Sequence, residues 1–288
     1  MKILVTNAGS TSLKFKLFEM PEEKVYCNAY IERVGSDKGI YTYDSETEHI
    51  HKENLSIPDY SAGIRMFIDT IRPHFDISEI KAVGFKTVLS KDHYGVHELT
   101  EEVLQGMRDF MFVAPAHNTA YLEAIESVKG IIKNVSLIGV FETAFHTTIP
   151  KERAMYSIPY EWYEKYGIKK MGYHGASHEY ASTTAAQDGP ASKIITCHLG
   201  GSCSICAVKD GKSVDTSFGL SLQVGIMNSN RIGDIDPYIM PYLLSEGMTM
   251  DEVMNGVGKK GGLLGVSGVS GDLREVIEAA ENGNERAE

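Results

Sequence analysis

Basic residues are in deficit: 28 Lys and Arg stand against 39 Asp and Glu, a net charge of −11. A general nucleic-acid or anionic-membrane binder neutralises phosphates with clustered cations, so no nucleic-acid and no membrane partner is expected, although a small anion in a local basic pocket is not excluded. Cysteine is scarce, with four residues at Cys27, Cys197, Cys203 and Cys206. With no secretory signal they read as reduced thiols rather than a disulfide framework. Nowhere do about 18 apolar residues run together, and the opening Met1-Lys2-Ile3-Leu4-Val5-Thr6-Asn7 turns polar at once. Neither a spanning helix nor a signal peptide is expected, which points to a cytoplasmic protein. The phosphate motif G-x-x-x-x-G-K-[ST] is missing, no G-x-G-x-x-G follows a strand, and H-E-x-x-H does not occur. What remains is ordinary globular composition, 42% hydrophobic and 23% charged over 288 residues, a length that suggests about two domains.

Hydrophobic periodicity orders the chain. Residues 3–5 predict a buried strand, 7–12 a turn, and 13–17 a second strand in which Leu13, Phe15 and Leu17 alternate with Lys14 and Lys16. Short strands are expected around 25–34 and 39–43, a helix over 61–71, a buried strand over 80–89, a helix opened by Thr100, a helix over 118–129 and a strand over 135–141. Residues 156–167 concentrate aromatic side chains around Trp162 without an assignable role, and 178–187 reads as a helix ended by a Gly189-Pro190 turn. The opening pattern then recurs as a strand over 194–197, the turn His198-Leu199-Gly200-Gly201-Ser202, and a strand over 205–208. Asp210-Gly211 turns the chain into 213–216. A repeated strand–turn–strand unit implies two similarly built domains.

Several stretches carry chemistry. Turns rich in Gly, Ser and Thr offer backbone N–H groups and hydroxyls to a phosphate, and two of them would grip a nucleoside triphosphate; the alternative is a pair of ordinary hairpin loops. Residues 261–274 are Gly-rich, and Asp272 or Ser270 within them is a candidate cap for a helix over 273–280; a loop before that helix is the competing reading. Glu142 follows a buried strand, a usual place for active-site groups in α/β folds. His174 and His178 lie four apart and, if helical, would share a face and hold zinc with Glu142 or His146, the metal-hydrolase alternative. Arg231 precedes the acidic turn Asp234-Ile235-Asp236, either as an anion-binding group or as a surface arginine neutralised by its neighbours. Cys203 and Cys206 match C-x-x-C, yet three apart in a strand they face opposite sides.

In order along the chain, Asn7-Ala-Gly-Ser-Thr-Ser-Leu-Lys14, Ala114-Pro-Ala-His117-Asn118, Phe141-Glu-Thr-Ala-Phe-His146, His174-Gly-Ala-Ser-His178, Cys197-His-Leu-Gly-Gly201, Val214-Asp-Thr-Ser217 and Arg231-Ile-Gly-Asp-Ile-Asp-Pro237 resemble the acetate kinase family, within the actin, sugar-kinase and heat-shock chaperone superfamily. The resemblance implies an α/β fold of two ribonuclease-H-like, actin-like ATPase domains, 1–147 and 148–288, the second incomplete. It implies transfer of the γ-phosphoryl group of ATP to a short carboxylate, acetate or a close analogue, giving an acyl phosphate and ADP with Mg2+ as metal, in a homodimer. Asn7 would stand in the magnesium shell. Ser10, Ser12 and Lys14 would reach the nucleotide phosphates, and His198, Leu199, Gly200, Gly201 and Ser202 would cradle them. Asp272, Leu273 and Arg274 would contact the adenosine side. Glu142, His174 and Arg231 would be catalytic, and Lys86, Val88, His117, Tyr173 and Leu222 would bind the carboxylate.

The sequence departs from the family pattern at several of these positions. Lys86, in Gly84-Phe-Lys-Thr-Val-Leu-Ser-Lys91, replaces an arginine and keeps the charge without the bidentate fork. Glu142 stands in place of an aspartate, one methylene shorter. Gly201-Ser202 replaces Asn-Gly, and Ala116, Tyr173 and Leu222 replace Leu, Phe and Pro of the acyl pocket. The family continues beyond this length through an adenine loop, a magnesium carboxylate and a returning helix, so a fragment or a naturally short paralog is expected. A relative that binds nucleotide or a partner without turnover is the alternative function.

Overall fold

The computed structural model describes residues 1–288 apart from Ser10, Ala114, Asp188, Pro190 and Ala191, and it describes Pro115 and Ala116 by backbone only. The expectations for Ser10, for Ala116 and for the turn through Pro190 lie outside the described residues. The chain divides into two compact units, Met1–Glu142 and Thr143–Glu288. Among the described residues no helix is long and apolar enough to cross a membrane.

The first unit runs β1 (Lys2–Gly9), β2 (Ser12–Glu19), β3 (Lys24–Glu32), β4 (Ser36–Ser45), β5 (His49–Ile57), α1 (Tyr60–Ile71), β6 (Ile80–Thr87), β7 (Gly95–Glu98), α2 (Glu101–Asp109), α3 (Pro115–Ile131) and β8 (Ser136–Phe141). Its eight strands form one sheet in the order β5-β4-β3-β2-β1-β6-β8-β7. The first five strands are an antiparallel meander, whereas β6 lies parallel to β1 and β8 parallel to β6. The pleat sends Leu4, Ala8, Leu13, Phe15, Leu17 and Ile31 into the core. There Phe67 of α1 stacks on Phe15 with ring centroids 4.3 Å apart, the offset-stacked geometry that aromatic quadrupoles favour. The opposite face of β1 and β2 carries Asn7, Lys14 and Lys16 outward.

Three expectations change. β1 and β2 continue through the expected turn, so Asn7 and Lys14 are cross-strand partners. β5 is an additional strand; its sequence HIHKENLSI lies at the sheet edge and is mostly exposed, so it lacks an apolar alternation to read. β7, four residues at the other edge, is likewise too short and exposed to show one.

The second unit runs α4 (Lys151–Ala154), α5 (Tyr160–Tyr166), α6 (Gly175–Gln187), β9 (Lys193–Leu199), β10 (Cys203–Lys209), β11 (Lys212–Thr216), α7 (Ile239–Ser245), α8 (Met250–Lys259), α9 (Gly262–Ser267) and α10 (Leu273–Glu281). Its sheet is antiparallel, β11-β10-β9, and α6 packs on β9. The aromatic segment gains a role. Tyr156 accepts a hydrogen bond from the Leu220 N–H at 2.7 Å, and the Lys151 ammonium sits 5.0 and 4.9 Å from the Tyr160 and Tyr163 ring centroids. Residues 261–274 are not simply a loop, since α9 occupies their first half and Asp272 caps α10 by accepting from the Arg274 N–H.

Candidate active site

In the first unit, candidate residues gather at the carboxyl ends of β1, β6 and β8. Thr6 pairs with Phe85 and Phe85 with Gly139, so one residue further along Asn7, Lys86 and Val140 share the outward face, with Lys14 opposite Asn7. Beyond the end of β8 the chain tightens into a 3-10 turn (Glu142–Thr148), and the largely buried Glu142 carboxylate meets Lys86 Nζ at 3.3 Å. Lys86 stays exposed over about half of its side chain, with its ammonium turned to this carboxylate. Burial, and then the Glu142 charge, push the Tyr121 phenol upward. Lys14 Nζ lies over the Tyr30 ring at 4.8 Å, a cation–π contact. Ser12, half-buried, opens β2. Val88 is buried, and His117 lies half-buried on α3 with its ring 6.4 Å from that of Tyr121.

Two supports escape sequence reasoning. Tyr60 donates to the Gly9 carbonyl at 2.5 Å, which fixes the end of β1. Asn118 is fully buried and its amide donates to Met107 at 2.8 Å and Leu89 at 3.3 Å. That tie holds the segment after β6, and hence Val88, against α2. A buried amide inside a helical apolar stripe was the available signal.

In the second unit four histidines lie close together. His174 sits just before α6 with φ at 58°, a left-handed conformation that only a few per cent of non-glycine residues adopt. Its ring stacks on His198 with centroids 3.8 Å apart and planes at 22°. His198 in turn lies 2.9 Å from Ser177 Oγ. His178 is buried, with Nδ1 2.8 Å from Thr196 Oγ1 and Nε2 2.8 Å from Ser204 Oγ. His174 and His178 therefore meet through a hydroxyl rather than sharing a helix face, which corrects the zinc arrangement. Among the described residues no group of three His, Cys, Asp or Glu side chains is arranged to hold a metal ion. His146 closes the cluster, 2.9 Å from Ser213 Oγ and 2.9 Å from the Tyr173 carbonyl. A Cβ on Gly172 would come within 2.4 Å of that ring, and its φ is +70°, so glycine is required there. Tyr173 is fully buried and donates to the Leu220 carbonyl at 2.6 Å; Leu222 is buried nearby in sequence.

Burial, followed by the neighbouring His146 and His198, lowers the His178 pKa from 6.5 to about 4. Between those values the unfolded chain binds a proton that the folded chain refuses. Stability is therefore complete near neutrality and is lost as pH falls from about 6.5 toward 4. The melting temperature of the parent is expected to drop across that window more steeply than that of His178→Asn. Parallel curves would remove His178 as the source.

Arg231 is half-buried rather than a solvated surface arginine, and burial lowers its pKa. Nη2 donates to Ser202 Oγ, while Nε is shielded and has no hydrogen-bond partner. Its loop is pinned by the start of α9, where Leu263 and Leu264 N–H groups donate to the Asn228 and Ser229 carbonyls at 2.9 Å each. Ser229 N–H donates to Gly201 O at 3.1 Å, and Asn228 Oδ1 accepts from Cys203 N–H at 2.6 Å. Gly262 is packed so closely that a Cβ would lie 2.2 Å from Asn228 O. The Gly-rich stretch thus braces Arg231 against the Gly200-Gly201-Ser202 turn. Leu199 belongs to β9 and points to the face opposite His198, 73% exposed. Asp272 and Arg274 engage each other at 3.0 Å, which helps hold the Asp272 carboxyl down to about 2; Leu273 is exposed.

The model of the acetokinase family matches residues 2–288. The chain belongs to that family. It is 42% identical to an acetate kinase of Bacillus subtilis (strain 168), a match covering 100% of this chain and 75% of that protein. Among solved structures it resembles a propionate kinase from Francisella tularensis (34% identity, TM-score 0.89, 99% of this chain and 75% of that one). It also resembles an acetate kinase of Porphyromonas gingivalis (34%, TM-score 0.83, 99% and 74%). Like its family, the chain is a phosphotransferase with a carboxyl group as acceptor, and it uses ATP or ADP with Mg2+.

Proposed function

We propose that this protein phosphorylates acetate or a close analogue such as propionate, with Lys86 binding the carboxylate and Arg231, His174 and the Gly200-Gly201-Ser202 turn attending the phosphates. The observation that carries this reading is Arg231, whose shielded Nε lacks a partner beside a small-residue turn. With that nitrogen unpaired, the charge of the half-buried guanidinium is poorly compensated, and an anion held by its terminal N–H groups would offset it. In the reaction a carboxylate oxygen bonds to the γ-phosphorus of ATP as the bond to the bridging oxygen breaks, and that electron pair leaves with ADP. Catalysis of this kind is positioning and charge neutralisation. His174 would steady charge on the transferring group, and Glu142 would orient Lys86 through their 3.3 Å contact.

Mg2+, a hard cation, takes oxygen donors and keeps few protein ligands when phosphates supply the rest. Asn7, an amide on the outward face of β1 beside Lys14, suits that limited role. Bound there, the metal would supply charge neutralisation to the nucleotide phosphates. Val88, His117, Tyr173 and Leu222 complete the proposed acyl-binding set, and Lys14, Ser10, Ser12, His198, Leu199, Asp272, Leu273 and Arg274 the nucleotide set. The two compact units correspond in this reading to the two actin-like domains. A cytoplasmic homodimer is part of the same proposal, and the net charge of −11 speaks against nucleic-acid or membrane-surface partners.

The test is to incubate the protein with ATP, Mg2+ and acetate, propionate or butyrate, and to trap product with hydroxylamine. Acyl hydroxamate from acetate and propionate, with less from butyrate, is expected. Hydroxamate from none of the three would overturn the reading.

A further inference from the structure

We infer that Ser204 is a positioning residue, whose hydroxyl relays the hydrogen-bond direction of His178 to His174 and so selects the tautomer that His174 presents. The inference rests on the proposed role of His174 and deepens it.

Ser204 is fully buried on β10, at a position whose strand neighbours Cys206 and Val208 are also buried. Its Oγ lies 2.9 Å from His174 Nδ1 and 2.8 Å from His178 Nε2. Beyond His178, Nδ1 lies 2.8 Å from Thr196 Oγ1, itself buried. A hydroxyl has one proton to give and lone pairs to receive, so between two imidazole nitrogens it donates to one and accepts from the other. A buried His178 is neutral near neutral pH and has one donor and one acceptor nitrogen. The chain Thr196, His178, Ser204, His174 therefore has two self-consistent arrangements, running in opposite directions.

Only one of them serves phosphoryl transfer without a charged imidazole. Thr196 donates to His178 Nδ1, His178 Nε2–H donates to Ser204, and Ser204 donates to His174 Nδ1. The His174 proton then resides on Nε2, where it can be given to a phosphoryl oxygen. The reverse chain places that proton on Nδ1 and turns a lone pair toward anionic oxygens, which repels them. The ring itself is held in place. The left-handed backbone at His174, the His198 stack at 3.8 Å and Phe218 at 5.3 Å restrict its plane, so the remaining variable is the proton.

The experiment uses the full chain with 15N-labelled histidine and long-range 1H–15N correlation, His174 being assigned by its loss in His174→Gln. The parent is expected to show His174 as one neutral tautomer, protonated at Nε2. In Ser204→Ala the His174 nitrogens should move toward the averaged shifts of a tautomer mixture, and Ser204→Thr should restore them. With turnover measured in parallel, Ser204→Ala should lower kcat about 5- to 30-fold with KM for both substrates nearly unchanged, and Ser204→Thr should recover most of it. If Ser204→Ala does not fold, Thr196→Val breaks the same chain one bond further out and should shift the same signals. A parent His174 protonated at Nδ1, or unchanged His174 signals in a folded variant, would overturn the inference. Full activity in His174→Gln beside a Ser204-dependent tautomer would instead remove the catalytic reading of His174 and leave the hydrogen-bond relay standing.

Discussion

Replacing Arg231 by alanine is expected to lower kcat by roughly two to four orders of magnitude while the protein stays folded. The guanidinium is half-buried, one nitrogen engages Ser202 and another is shielded without a partner. Burying a cation in that state opposes folding unless an anion compensates, and burial lowers the pKa of this arginine accordingly. Its interactions are therefore under-used in the substrate-free protein and are strongest where charge accumulates on a transferring phosphoryl group. Activity and stability should move in opposite directions. Arg231→Ala should melt at or slightly above the parent temperature while turnover collapses. Arg231→Lys should recover only a small part of the rate, because an ammonium keeps the charge but loses the planar fork. Hydroxamate formation and thermal melts on the same preparations decide it: unchanged turnover in folded Arg231→Ala would exclude Arg231 from the reaction.

What was legible in the sequence follows what each residue's partners require. Strands with one buried face were visible because Leu13, Phe15 and Leu17 must alternate with Lys14 and Lys16 to satisfy the pleat. Edge strands such as β5 were not, since neither face is buried strongly enough to impose a pattern. Asp272 and Thr100 were readable as caps because a short side-chain acceptor before a helix has a local use. The site divides in the same way. The small residues of the Gly200-Gly201-Ser202 turn and the cation Arg231 were visible as candidates for an anion beside plainer readings, yet nothing local showed that α9 braces them, because that contact joins residues some thirty apart through backbone groups that every sequence possesses. Ser204, Thr196 and Asn228 were silent for a related reason. Each is a common polar residue whose importance comes only from what folding places opposite it.

The pairing of Lys86 with Glu142 supports a second large effect, in which binding and turnover separate. Lys86→Ala is expected to raise KM for acetate about 10- to 100-fold, the loss of a hydrogen bond to a charged group being worth about 1.5–3 kcal/mol. It should also destabilise the first unit, because the Glu142 carboxylate is only 8% exposed and would lose its cation. Glu142→Gln should act differently. With the carboxylate neutralised, Lys86 is no longer shared, so KM for acetate should fall even as kcat drops by about 100-fold or more through loss of orientation at the reacting centre. Lys86→Arg offers a fork able to engage Glu142 and a substrate carboxylate together, and kcat/KM toward acetate or propionate should rise. The three variants form a pattern that a merely structural ion pair cannot produce. Such a pair would lower stability in Lys86→Ala and Glu142→Gln, leave it nearly unchanged in Lys86→Arg, and separate KM from kcat in none of them. If Lys86→Ala and Lys86→Arg both leave carboxylate kinetics at the parent values in active protein, then the lysine serves Glu142 alone and the carboxylate binds elsewhere.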